Sequence, residues 1–114
     1  MNLQEFKAKL KEQPEAILFN ETIEVIDSLY DFTPTEFKNG DTLNESGQNN
    51  GSCKLFAFAV AENLTKEETL ASFGQFYFED VLKDPNGDGH QNIRNFMTYG
   101  FEGLDFKGEA LVKK

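Results

Sequence analysis

The chain has one cysteine, one histidine and one arginine, and its longest uninterrupted apolar run is the short stretch from Leu55 to Ala61. A lone cysteine rules out an internal disulfide and fits a reducing compartment. The apolar run falls far short of the roughly 20 residues that span a bilayer, so no membrane association is expected. Basic charge is also scarce, with 11 Lys and Arg against 20 Asp and Glu and a net charge of -9. Nucleic acid is thereby excluded as an expected partner, because phosphate binding needs a basic footprint. The N-terminal residues carry charge early and lack the apolar stretch of a secretory signal, which predicts a cytoplasmic location. Neither an internal repeat nor a low-complexity linker is present. The 114 residues therefore read as one domain, 1–114, of a size that buries roughly two thirds of its unfolded surface, and a monomer is expected. Twelve Phe and 39% hydrophobic residues supply the core.

The periodicity predicts a predominantly helical α+β domain. Asn2 and Glu5 form a capping-box signature ahead of Leu3, Phe6 and Leu10 at helical spacing. Pro14 suits the first turn of a second helix, in which Phe19, Ile23, Ile26 and Tyr30 recur every three or four residues. The period then changes, and a small β element is expected at about residues 30–43, closing on the Asn39-Gly40 turn signal, with another at about 103–107 in the tail. Ser52 is read as the N-cap of a third helix through Leu55, Phe56, Ala59 and Leu64. Thr65 and Glu68 make a second capping box for a fourth helix lined by Leu70, Phe73, Tyr77 and Val81. Asp84-Pro85-Asn86-Gly87-Asp88-Gly89 is a dense turn region, and a last helix runs from Gln91 to Tyr99 before Gly100.

Two polar stretches, Asn39–Cys53 and His90–Asn95, hold the single Cys, His and Arg and most of the amide side chains, and loops on a rigid scaffold commonly carry function. The candidate binding face gathers Asn44, Glu45, Gln48, Asn49, Cys53, Lys54, His90, Asn92, Arg94 and Asn95. Amides offer both donors and acceptors, which suits a polar small ligand or a protein surface. Arg94 and His90, four residues apart, could hold an anion. The catalytic alternative is a thiol-dependent hydrolase or transferase with Cys53 as nucleophile in a helix first turn and His90 as base. Asp84, Asn86, Asp88, Gly89 and Asn92 reproduce the first, third, fifth, sixth and ninth positions of an EF-hand loop. Asn95 replaces the bidentate carboxylate at the twelfth position, so the stretch reads as a turn and neither a metal nor a cofactor is expected.

The segments Asn39-Gly40-Asp41, Asn44-Glu45-Ser46-Gly47-Gln48-Asn49, Gly51-Ser52-Cys53-Lys54-Leu55-Phe56-Ala57-Phe58-Ala59 and His90-Gln91-Asn92-Ile93-Arg94-Asn95-Phe96-Met97, with Gly100 and Gly103, resemble the HopJ type III effector family of bacteria. The likeness covers most of the chain after about Thr33. It implies a small α+β domain of undefined biochemical role and supplies no catalytic residues. It also implies delivery into a host cell, where the target would be a host protein. Residues 2–20 nevertheless contain no Ser, and hold three Glu and three Lys in a helix-forming pattern. The reading reached from the sequence is a recognition domain without chemistry, acting through the polar face.

Overall fold

The computed structural model describes residues 1–114. Helix α1, Leu3–Glu12, starts where the Asn2 side chain accepts the Glu5 N–H at 2.8 Å and the Glu5 carboxylate accepts the Asn2 N–H at 2.9 Å. It buries Phe6 and Leu10. Pro14 opens only a short 3-10 turn, Pro14–Ala16, and α2 begins later, at Phe19–Leu29. There Glu21 reaches back to the Leu18 N–H at 2.9 Å and also binds Lys9. Tyr30, expected at the end of this helix, has turned extended and starts a strand.

Helix α3, Asn50–Ala61, is the centre of the molecule. Its Cys53, Leu55, Phe56, Phe58 and Ala59 are fully buried. A helix that is apolar nearly all round belongs inside, and here Phe56 lies 5.0 Å from Phe96, 5.3 Å from Phe73 and 6.2 Å from Phe37, measured between ring centroids. These rings join α3 to α5 and the sheet. The helix begins at Asn50, two residues before the expected Ser52 cap, because Asn49 takes the left-handed conformation and serves as N-cap.

Thr65 and Glu68 close the expected capping box of α4, Lys66–Ala71. The single long helix anticipated through Val81 does not form. Gly74, at φ +63°, breaks it, and a Cβ there would meet the Phe19 nitrogen at 2.6 Å and the Ile17 carbonyl oxygen at 2.8 Å. The chain resumes as a π-helix, Phe76–Val81, which rotates Phe76 and Asp80 relative to an uninterrupted α-helix. Helix α5, Gln91–Tyr99, ends at Gly100, where φ is +62°.

Five three-residue strands complete the fold. β1, Tyr30–Phe32, pairs antiparallel with β5, Leu111–Lys113. β2, Phe37–Asn39, lies between β3, Thr42–Asn44, and β4, Leu104–Phe106, in a second antiparallel sheet. Phe37 stands opposite Asn44 and Phe106, and Asn39 opposite Thr42 and Leu104. The alternation therefore sends Phe37, Asn39, Asn44 and Phe106 to one face, toward α3 and α5, while Lys38, Leu43 and Asp105 face out. The expected β elements at 30–43 and 103–107 are present, and β5 is added by the tail.

A part-buried polar chain ties α1, β1 and α3 together, in which the Tyr30 hydroxyl donates to Glu62 at 2.6 Å and Lys7 pairs with the same carboxylate at 3.1 Å. Burial, followed by the Glu62 contact, pushes the Tyr30 phenol up to about 12. Burial alone would raise the Glu62 carboxyl, but the hydrogen bonds from Tyr30 and Lys7 outweigh it and hold it below its ordinary value of 4.5. A phenol raised in the folded state stabilises fully below its unfolded value, and that stabilisation is lost as pH climbs from 10 toward about 12. The depressed carboxylate acts in the opposite direction, stabilising above 4.5 and losing that contribution as pH falls through its folded value. In Tyr30→Phe, denaturant unfolding should show a loss of about 1 kcal/mol at neutral pH, and the alkaline decline in stability above pH 10 should shrink.

Candidate functional site

The strongest polar construction in the molecule is a cluster of buried asparagines between the β2–β3 hairpin and the start of α5. Asn39, Asn44, Asn92 and Asn95 are between 0% and 8% exposed. Asn39 Nδ2 donates to the Asn92 carbonyl oxygen at 2.9 Å and to Asn92 Oδ1 at 3.0 Å. Asn44 and Asn92 exchange a reciprocal pair, Nδ2 to Oδ1 at 3.1 and 3.0 Å. Asn49 Nδ2 extends the chain to Asn44 Oδ1 at 2.7 Å. Asn95 Nδ2 binds the Asn39 carbonyl oxygen at 3.1 Å and Thr42 Oγ1 at 2.7 Å, and Gln91 donates to Asn95 Oδ1. Asn39 Oδ1 is the one buried side-chain oxygen left without a partner. Three members of the anticipated binding face, Asn44, Asn92 and Asn95, are thus committed mainly to this lock.

In front of the lock the N-termini of α3 and α5 open onto one cavity of about 240 Å³. Asn49, Gly51 and Ser52 line it from one helix, and His90, Gln91, Asn92 and Ile93 from the other. Both N-caps, Asn49 at φ 52° and His90 at φ 55°, are left-handed and supply no side-chain cap. Helix geometry leaves first-turn amides without intrahelical acceptors. With no acidic side chain in either first turn, the N–H groups of Gly51, Ser52, Gln91 and Asn92 have no acceptor within the chain.

The opposite wall is aromatic. Phe19 stacks near-parallel on Phe73 with centroids 6.2 Å apart, and leans on Phe76 at 5.1 Å. Phe76 in turn stacks on the His90 ring at 5.1 Å and 24°. Gly51 allows the close fit, since a Cβ there would sit 3.0 Å from Phe19 Cζ. His90 Nε2 lies 3.0 Å from Asp80 Oδ2, an orientation supplied by the π-helix. Phe19, Phe76 and Asp80 were absent from the sequence candidates. Apolar residues at helical spacing read as core, and the break at Gly74 that turns Phe76 toward His90 leaves only a single glycine as its signal.

The other candidates are placed elsewhere. Cys53 is fully buried, its Sγ 3.5 Å from the Thr35 carbonyl oxygen, and burial pushes the thiol up. It does not line the cavity and makes no contact with His90, whose partners are Asp80 and Phe76. The conditions for a thiolate nucleophile, exposure and a lowered pKa, are both reversed. Lys54 faces α2, paired with Asp27 at 2.9 Å and lying 5.0 Å from the Phe32 ring centroid. Glu45 and Gln48 close their own exposed turn, the Gln48 side-chain oxygen accepting the Glu45 N–H at 3.0 Å.

Arg94 organises the 84–89 turn. Its Nη1 donates to the Asp84 carbonyl oxygen at 2.8 Å and its Nε to the Gly89 carbonyl oxygen. The loop that mimics a calcium site in sequence therefore turns two carbonyls onto a guanidinium of its own. Nowhere do three His, Cys, Asp or Glu side chains come together in a metal-binding group.

The family model described as HopJ type III effector protein matches residues 3–111 of the chain. A solved structure described as "Crystal structure of unknown function protein VPA0580" superposes with a TM-score of 0.96 at 54% identity, covering 100% of this chain and 95% of that one. No curated protein matches.

Removing the side chain at the hub of the lock strands Asn44 Nδ2 in a dry setting and leaves Asn39 Nδ2 with only the backbone carbonyl of residue 92. Asn92→Ala should accordingly cost about 2 kcal/mol or more in denaturant unfolding, whereas Asn49→Ala, which loses one bond to Asn44 and places Ala at a left-handed position, should cost about 1–2 kcal/mol. Alkylation of Cys53 in the native protein should run roughly a hundredfold or more slower than in denaturant and stay unchanged in His90→Ala. A fast native rate that drops with His90 would restore the thiol as a nucleophile.

Proposed function

The chain belongs to the HopJ type III effector family, and from that premise we propose that it is a recognition domain, without chemistry of its own, whose binding site is the cleft between the first turns of α3 and α5. The observation that carries the reading is the pairing of two unlike walls across one cavity, a run of four rings on one side and unpartnered backbone amides on the other. Binding sites commonly combine apolar walls with a few convergent polar groups. The ligand suited to these walls is a planar group that lies along the rings and carries a hydrogen-bond acceptor toward the amides. A small aromatic or amide-bearing molecule has this chemistry, and so does a side chain or terminus of a partner protein.

The contents of the cleft favour binding over reaction. Cys53 is in the core, and His90 is held between Asp80 and the Phe76 ring. No helix is long and apolar enough to cross a membrane. Delivery to a host cell, which the family's name describes, would present the same cleft to a host protein, and a chain retained in the bacterium would present it to a bacterial ligand.

Benzoate and benzamide serve as probes. Titrating each into the isotope-labelled protein should shift the amide resonances of Gly51, Ser52, Gln91 and Asn92 together, with benzamide testing whether a neutral acceptor suffices. Gly51→Leu, whose side chain pushes Phe19 aside and fills the cleft, should abolish those shifts while circular dichroism stays unchanged, and His90→Ala should weaken binding by about tenfold through loss of ring contact. Shifts confined to other surfaces, or none from either probe, would refute the assignment.

A further inference from the structure

Toward the C-terminal half of α3, two apolar hollows of about 420 and 180 Å³ share Val60 and Phe106, and so form one groove. Its floor is the outer face of α3, where Val60 is 52% exposed, and its far side is β4 with Phe101. Leu64 lies toward one end and Leu111 toward the other.

The backbone beside this groove is unpaired. Strand β4 is an edge of the three-stranded sheet. The bonds from the Gly40 N–H to the Gly103 oxygen and from the Lys107 N–H to the Glu36 oxygen flank the register. They make Phe106 a non-hydrogen-bonded position, so its N–H and C=O point away from β2. The Leu104 carbonyl points the same way, its N–H being taken by the Phe101 oxygen. An open edge next to an apolar trough is the arrangement that accepts an added extended strand, with main-chain bonds giving affinity and the trough taking alternate side chains.

Charge selects among occupants. The segment from Phe101 to Leu111 carries Glu102, Asp105 and Glu109 against the single Lys107, and none of these three acids has an ion-pair partner. A second copy would bring another net -9 to this edge. The chain's own C-terminus is occupied elsewhere, with Lys114 bonded to the Leu29 and Asp27 carbonyl oxygens. We propose that the α3–β4 groove is a docking site for an extended segment of a partner protein in which apolar and Lys or Arg residues alternate, added as a strand to the edge of β4.

Selection from a phage-displayed library of random short peptides on the intact protein tests this. Enriched sequences should alternate apolar and basic residues, and their synthetic forms should bind more weakly as salt rises. Binding should fall about tenfold or more in Val60→Lys, a substitution at an exposed position that circular dichroism should show to be folded. Methylating the peptide amide that pairs with the Phe106 carbonyl should cause a similar loss. Acidic enriched sequences, equal binding to Val60→Lys, or an absence of enrichment would each overturn the proposal. So would sedimentation showing a wild-type dimer that Val60→Lys dissolves, because the occupant would then be a second copy.

Discussion

The amide lock around Asn92 is the interaction on which the half of the molecule around the cleft depends. It joins the tip of a hairpin to the first turn of a helix about fifty positions further along, using side chains of 0% to 8% exposure. Every buried amide in such a cluster must be partnered or it costs about 1–3 kcal/mol. That requirement makes the arrangement nearly all-or-none, since moving α5 relative to β2 would break several bonds together. Hydrophobic packing through Phe56, Phe37 and Phe96 brings these elements near each other. Rings, however, tolerate sliding far better than reciprocal amide pairs do, so it is the asparagines that set the register. The cleft inherits its width from them, because Asn49 and Asn92, one on each side of the cleft, both hang from Asn44.

Around this lock, polar residues that look interchangeable in sequence divide into separate tasks. Arg94 spends its donors on the carbonyls of the 84–89 turn and so holds in place the segment leading into α5. Lys54 and Asp27 brace α3 against α2. Gln48 finishes a turn. Only Asn49 and His90, of the exposed candidates, present themselves at the cavity. The distinction is one of partners, because a polar side chain whose bonds are all taken inside the chain has little left for a ligand.

Much of the architecture could be read directly from residues. The capping boxes at Asn2 and Thr65, the stop at Gly100 and the turn at Asn39-Gly40 are local signals, each resting on chemistry within four residues. The positions that escaped depend on distant ones. Gly74 ends α4 because Ile17 and Phe19 press against its backbone, and nothing near Gly74 in sequence announces them. Ser52 has the composition of an N-cap, yet the start of α3 is set by Asn49, which the lock holds in a left-handed conformation through Asn44. The polar stretches stand out in composition, but composition alone does not separate buried amides from exposed ones. Asn is rarely buried, and a cluster of four becomes visible only once the hairpin and α5 are side by side. Cys53 illustrates the converse, since a helix first turn suggests reactivity whereas burial in the core removes it.

The two helix starts at the cleft are poorer in local terms than they need be. A left-handed non-glycine residue costs of order 1–3 kcal/mol, and a missing side-chain cap costs about another 1 kcal/mol. Asn49 and His90 combine both penalties, although the same chain builds well-capped helices at Asn2 and Thr65. The lock explains how the strained Asn49 is tolerated, and the ring of Phe76 with Asp80 does the same for His90. Neither explains why the amides should be left open. The proposed ligand would, because acceptors it brought would complete these first turns, and the aromatic wall already stands where its planar part would lie. On that proposal the strain and the missing caps become one property, that of a site whose polar groups would be satisfied in the bound state.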